Sequence, residues 1–290
     1  MLNLKEWPLV VFTLLGQSAV GIFIFSFWPA IFTAAWKNRE VYALAERWSL
    51  VLLGMVGLAM LISLFHLGNP LSAYLAAVNI KSSWLSREIF SLSWFFLLLL
   101  VLELLLAFKA KPAWIVITTI LVGINGLLLI WVMSRIYRLT TVPVWNSFRT
   151  TASFFLTSVL MGIFGLLLAQ KSGQTVLNLP GLESFARWGT AAAIFGAFLY
   201  SVLFDQAAGI FALSELNGSD SQGACRLLFF LRLIFLTLAF VLLIADLWLE
   251  RTKPAYSSIN YLLGLSFFLI IIEEFLGRIV FYNLYERLGV

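Results

Sequence analysis

The chain holds one histidine, His66, inside the run Leu64-Phe65-His66-Leu67-Gly68-Asn69-Pro70. An imidazole titrates near neutral pH, so it can accept a proton from a ligand or hydrogen-bond to it in either state. A histidine at a helix end can equally bond a loop carbonyl and do nothing further. Gly68 and Pro70 are expected to end the helix just beyond it and so fix where the ring sits. Glu88, directly after Arg87, is a second proton-active group. A carboxylate opening a helix also has an ordinary structural use, because it accepts the free backbone N–H groups of the first turn.

A third set of residues suits an aromatic ring that bears oxygen. The run Arg135-Ile136-Tyr137-Arg138 is followed by Trp145 and Arg149. Tyr and Trp supply flat faces and hydrogen-bond donors, and Arg can stabilise a developing oxyanion. The same residue types anchor helices at membrane interfaces. Gln17 lies deep enough in an apolar segment to need a partner. Arg278 stands four residues after Glu274, a spacing that lets the two neutralise each other on one helical face or line a pocket. Asp205, Glu103 and Asp246 are further polar groups in apolar surroundings that could mark a proton path.

Metal chemistry is not expected from this chain itself. Its one cysteine, Cys225, rules out an internal disulfide and a Cys-ligated iron–sulfur cluster, and its one histidine rules out a haem held by two histidines of this protein.

The elements that must position these groups follow from composition. Of 290 residues, 62% are hydrophobic and 11% charged, against about 45–50% and 25% in soluble domains. That much apolar surface calls for lipid as solvent. Apolar segments long enough to span a bilayer run over residues 9–35, 49–67, 89–108, 114–133, 153–169, 190–213, 227–248 and 262–284. The first is read as a retained helix, since no small-residue cleavage site follows a short core. The expected fold is all-α: a polytopic membrane bundle of eight transmembrane helices, a single domain over 1–290, with both termini on the same side. Gly54 with Gly57, and Gly123-Ile124-Asn125-Gly126, suit close helix packing. The net charge of +5 reflects basic loops near head groups. Those loops are shorter on the side away from the termini, which favours termini outside the cytoplasm.

Even-numbered helices end, and odd-numbered helices begin, on the terminal side. His66, Glu88 and the connection from Arg135 to Arg149 are therefore expected to converge at one interface.

Several motifs resemble a known family. They are Glu6-Trp7-Pro8-Leu9, Phe12-Thr13 with Gly16-Gln17, His66-Leu67-Gly68 with Pro70, Ser86 with Glu88-Ile89, Val142-Pro143 with Trp145, and Gly277-Arg278 with Val280-Phe281-Tyr282. In this order and spacing, across essentially its whole length, the sequence is similar to the membrane-anchor subunit of bacterial dimethyl sulfoxide reductase.

The resemblance implies a three-component enzyme. A catalytic subunit would carry a molybdenum cofactor, a second subunit iron–sulfur clusters, and this chain would bind and oxidise menaquinol as a non-autonomous subunit of an anaerobic respiratory reductase. It implies that His66 and Glu88 match the family's quinol-site histidine and glutamate, with the site periplasmic and the protein in the bacterial inner membrane. Gln17, Arg135, Tyr137, Trp145, Arg149 and Arg278 are candidate quinol-binding residues on polarity and placement alone. An anchor of the polysulfide reductase group fits the same quinol chemistry with another terminal acceptor. A proton-coupled transporter would instead rest on Asp205, Glu103 and Asp246.

Overall fold

The structure, a computed structural model, describes residues 6–31, 39–66, 78–139, 141–142, 145–171, 182–205, 220–252 and 261–283. Among the described residues there are eight α-helices and no strand. The helices are α1 (Trp7–Ile31), α2 (Arg39–Ser63), α3 (Trp84–Ala107), α4 (Pro112–Tyr137), α5 (Phe148–Lys171), α6 (Leu182–Tyr200), α7 (Asp220–Thr252) and α8 (Tyr261–Asn283). A 3₁₀ turn, Leu64–His66, closes α2, and a π turn, Ser201–Asp205, closes α6.

Most helices begin several residues before the apolar windows, because polar first turns are still helical. At α3, the side-chain oxygen of Ser83 accepts from the Ser86 backbone N–H at 3.3 Å, a cap that starts the helix five residues ahead of the apolar run. Pro112 occupies the first turn of α4, where its missing N–H costs nothing. The expected stretches 32–35 and 206–213, and Gly68 and Pro70, lie outside the described residues.

Seven of the helices are long and apolar enough to cross a membrane. The eighth, α8, has 23 residues, about 35 Å at 1.5 Å per residue, but carries Glu273, Glu274 and Arg278. All three are buried inside the bundle, at 1%, 8% and 4% exposure, so its lipid-facing stripe stays apolar. This is thus a multi-pass membrane protein.

Buried side chains form two cores. One gathers α1 to α4, with Phe154 of α5 and Tyr282 of α8; the other joins α5 to α8 around Leu160, Phe164, Leu236, Leu243 and Ile270. Helix α5 contributes to both and so ties them together.

The α1–α5 contact is closest. A methyl group at Gly21 would collide with the backbone of Ser158, and one at Gly162 with the backbone of Gly21. Gly123 likewise admits the Trp28 indole, and Gly126 meets Val20 and Phe95. Gly54 has nothing within 4 Å of where its methyl would sit, so it does not serve the close packing its spacing suggested.

Candidate functional site

The starts of α1, α3 and α5 and the ends of α2, α4 and α8 meet at one end of the bundle. Trp7, opening α1, stacks on Phe65 at 6.4 Å, which sets the end of α2 beside the start of α1. The backbone of His66 follows directly; its ring lies outside the described part of the protein.

Glu88 sits in the second turn of α3 and is 5% exposed. Its Oε1 atom is buried and has no hydrogen-bond partner among the described residues. It lies within electrostatic reach of both Tyr137 and Tyr282. A carboxyl used as an ordinary helix cap would be bonded to N–H groups; here Ser83 fills the cap position and leaves Glu88 facing inward.

Beside Glu88 is a box of aromatic rings. The hydroxyls of Tyr137 and Tyr282 are 2.8 Å apart and hydrogen-bonded. Trp145 stacks on Phe281 at 5.1 Å and donates its indole N–H to the Phe281 carbonyl at 3.0 Å. Tyr137 meets Trp145 edge-on at 5.5 Å, and Phe154 closes the inner side at 5.6 Å. These contacts knit the ends of α4 and α8 to the start of α5.

Deeper in the bundle, Arg278 donates one Nη2 bond to Gln17 Oε1 at 2.7 Å and one to Thr157 Oγ1 at 3.2 Å. Its guanidinium lies 3.9 Å over the Phe154 ring. Thr157 in turn donates to Glu274 Oε2 at 2.9 Å. The expected Glu274 and Arg278 pairing is therefore bridged by a threonine hydroxyl from another helix. Ser158 donates to the Gln17 carbonyl at 2.8 Å, while Gln17 Nε2 is buried without a partner among the described residues. Glu274, Arg278 and Tyr282 fall four residues apart on one face of α8, a stripe roughly 12 Å long at 1.5 Å per residue.

The structure thus brings together Glu88, Tyr137, Trp145, Gln17 and Arg278 near the end of α2 that carries His66. Arg135 goes elsewhere. Its guanidinium lies 5.2 Å over Trp84 and 5.9 Å over Trp131, on the outer side of the α3–α4 pair. The Arg149 side chain is exposed, and its carbonyl accepts from the Tyr200 hydroxyl at 2.8 Å.

Thr157 and Tyr282 were not among the binding candidates chosen from sequence. The i, i+4, i+8 spacing of Glu274, Arg278 and Tyr282 was the available signal for Tyr282. Thr157 had none, since an intramembrane threonine ordinarily bonds its own helix, and the Ser153 carbonyl lies within reach of the same hydroxyl at 2.9 Å.

Glu103 is buried and hydrogen-bonded to Ser49. It lies fifteen residues along α3 from Glu88, roughly 22 Å. Asp246 is buried towards the far end of α7, and the Asp205 side chain lies outside the described part. Among the described residues no cluster of His, Cys, Asp and Glu could hold a metal ion.

A multi-pass helical bundle with Glu88, Glu103, Asp246, Glu273, Glu274 and Arg278 turned inward, and an aromatic box at one end, is the class these features define. Residues 1–284 match the family described as the DMSO reductase anchor subunit (DmsC). The protein belongs to that family. It is 30% identical over 294 residues to the C subunit of the anaerobic dimethyl sulfoxide reductase of Escherichia coli (strain K12), covering 98% of this sequence and 96% of that one. The corresponding C subunit of Haemophilus influenzae is 30% identical over 301 residues, covering 99% and 98%. The anaerobic dimethyl sulfoxide reductase subunit YnfH of Escherichia coli (strain K12) is 31% identical over 298 residues, covering 98% and 96%.

Proposed function

We propose that this protein is the menaquinol-oxidising membrane anchor of a dimethyl sulfoxide reductase complex, acting as one domain over residues 1–290. The observation that carries this reading is Glu88: a buried carboxyl with Oε1 unpartnered among the described residues, beside an aromatic box, at the end of the bundle where α2 delivers His66. A buried polar atom without a partner is costly, and a quinol hydroxyl is a donor that would satisfy it.

Quinol reaches the site laterally from lipid, with one hydroxyl on His66 and the ring against Tyr137 and Trp145. Oxidation breaks two O–H bonds. The two protons pass to His66 and Glu88, directly or through water, and the two electrons leave singly for an iron–sulfur cluster of the partner subunit, so that menaquinone departs. Iron–sulfur clusters and the molybdenum cofactor that reduces the sulfoxide belong to the partner subunits. Gln17 and Arg278 set the α1 and α8 walls behind the box. The site, the termini and the partner subunits are on the periplasmic side of the bacterial inner membrane. The transporter alternative is less well supported, since Glu103 bonds Ser49 far along α3 from Glu88.

The test separates quinol oxidation from assembly. His66→Ala and Glu88→Gln complexes should lose about a hundredfold in turnover with a menaquinol analogue, the scale of a lost general base. Activity with reduced benzyl viologen, which feeds electrons to the partner subunits directly, should persist. Unchanged quinol turnover in either fully assembled variant would remove the proposed role.

A further inference from the structure

The outer side of the α3–α4 pair carries a second feature, independent of the quinol reading. Two guanidinium groups share one indole. Arg87 lies 4.2 Å and Arg135 5.2 Å from the centre of the Trp84 ring. Trp84 in turn meets Trp131 edge-on at 5.3 Å. Arg87 is held in place by donating to the carbonyls of Ile80 at 2.8 Å and Lys81 at 2.6 Å, and among the described residues its remaining N–H groups have no other hydrogen-bond acceptor. Among the described residues, Arg135 Nε is buried without a partner and no carboxylate pairs with either arginine. Two like charges drawn to one ring at the level of an interfacial tryptophan repel each other unless an anion sits between them.

Arg87 and Trp84 also line the mouth of a cavity of about 290 Å³ between α3 and α4. Trp84, Phe90, Leu128, Trp131 and Val132 form its apolar walls, and Ser91 and Asn125 lie along it. From Trp84 to Ser91 is seven residues of helix, roughly 10 Å. The cavity therefore starts at Arg87 and Trp84 and runs along the helices towards the middle of the bundle. A long acyl tail attached to an anionic head matches both halves.

We infer that this groove binds one anionic glycerophospholipid, with its phosphate on Arg87 at the mouth, Arg135 adding its charge from beside the same Trp84 indole, and one acyl tail along Leu128 and Trp131. Basic pockets between transmembrane helices hold anionic head groups in this way, and a bidentate guanidinium is suited to phosphate. The competing occupant is a quinone, whose ring oxygens Ser91 and Asn125 could bond. A neutral quinone, however, leaves the two arginines uncompensated.

The experiment uses the full-length protein purified from membranes with the subunits that accompany it, depleted of lipid and then exposed to vesicles of phosphatidylglycerol or of phosphatidylcholine. Bound phospholipid is read by native mass spectrometry. Phosphatidylglycerol should be retained at least tenfold better than phosphatidylcholine. Arg135→Gln should weaken phosphatidylglycerol retention about fivefold, the share of one basic residue near the surface, and leave phosphatidylcholine unchanged. Leu128→Trp, which fills the groove and keeps both cations, should also lower retention. Equal retention of the two lipids, or a preference that survives Arg87→Gln with Arg135→Gln, would overturn the assignment. So would a Leu128→Trp protein that loses copurifying menaquinone yet holds phosphatidylglycerol normally, which would make the groove a quinone seat.

Discussion

Arg278 is buried in the middle of the bundle at 4% exposure, and replacing it by methionine removes a charge while keeping much of the side-chain volume. Its two hydrogen bonds, to Gln17 and Thr157, join three helices. Polar contacts of this kind inside membranes average about 0.6 kcal/mol each and reach about 1.7. The guanidinium over Phe154 adds about 2 kcal/mol when desolvated. Direct contacts thus account for roughly 3 kcal/mol. Glu274, which faces Arg278 electrostatically and through Thr157, then loses that charge while staying buried. Breaking one partner out of a buried pair costs about 3–5 kcal/mol in total, much of it from the charge left behind. Arg278→Met should therefore lower the thermal midpoint of the purified protein sharply. Glu274→Gln on top of it should recover about half of the loss, because a neutral amide can still accept from Thr157. The double-mutant cycle, run by thermal unfolding in one detergent, measures this coupling. A double variant no more stable than Arg278→Met alone would refute the idea that a stranded carboxylate dominates.

Other perturbations separate packing from chemistry. Gly162→Ala should strongly reduce folded protein, since the new methyl meets the Gly21 backbone rather than a side chain that can move; membrane yield and thermal stability report it, with Gly54→Ala as a near-neutral control. Tyr137→Phe leaves the Tyr282 hydroxyl without its 2.8 Å partner and should cost about 1 kcal/mol, read as a fall in unfolding midpoint. Glu103→Gln keeps an acceptor for Ser49 and should leave menaquinol turnover within about twofold of the parent, a change near 0.4 kcal/mol; a severe kinetic defect would return Glu103 to the proton path.

The helices were legible because each apolar run falls within or near the length of about 17–25 residues that a bilayer needs, and their alternation placed the ends of α2, α4 and α8 with the starts of α3 and α5. That logic located Glu88, Tyr137 and Trp145 together without knowledge of packing. It did not give side-chain direction. Arg135 and Tyr137 are two residues apart on α4, which is about 200° around a helix, so one faces the box and the other faces lipid. Reading them as one wall ignored that rotation. The Gly21–Gly162 contact was equally invisible: the two glycines lie far apart in sequence, and the Gly162 to Gly165 spacing does not say which helix it meets. Gly54 and Gly57 share that spacing, yet Gly54 faces open space and Gly57 meets only the Phe96 ring at 3.6 Å, because spacing alone does not say which side of a helix has a close neighbour. Thr157 was hidden for a similar reason, being one polar residue among several along α5 until α8 supplied its partners.

The charges of α8 bear on how the protein enters the membrane. An ionisable residue at the centre of a lone inserting helix costs about 2.5–3.5 kcal/mol, and α8 has two, Glu273 and Glu274, near its middle and Arg278 one turn further on. Arg232 of α7 meets Glu273 at 2.8 Å, and it passes over Gly277, where any side chain would press on the guanidinium. Arriving as a hairpin with α7, the last helix brings one of its charges already neutralised and has only Glu274 and Arg278 to settle against α1 and α5. The last two helices should therefore insert better together than apart, and a protein truncated between them would carry Arg232 without its Glu273 partner.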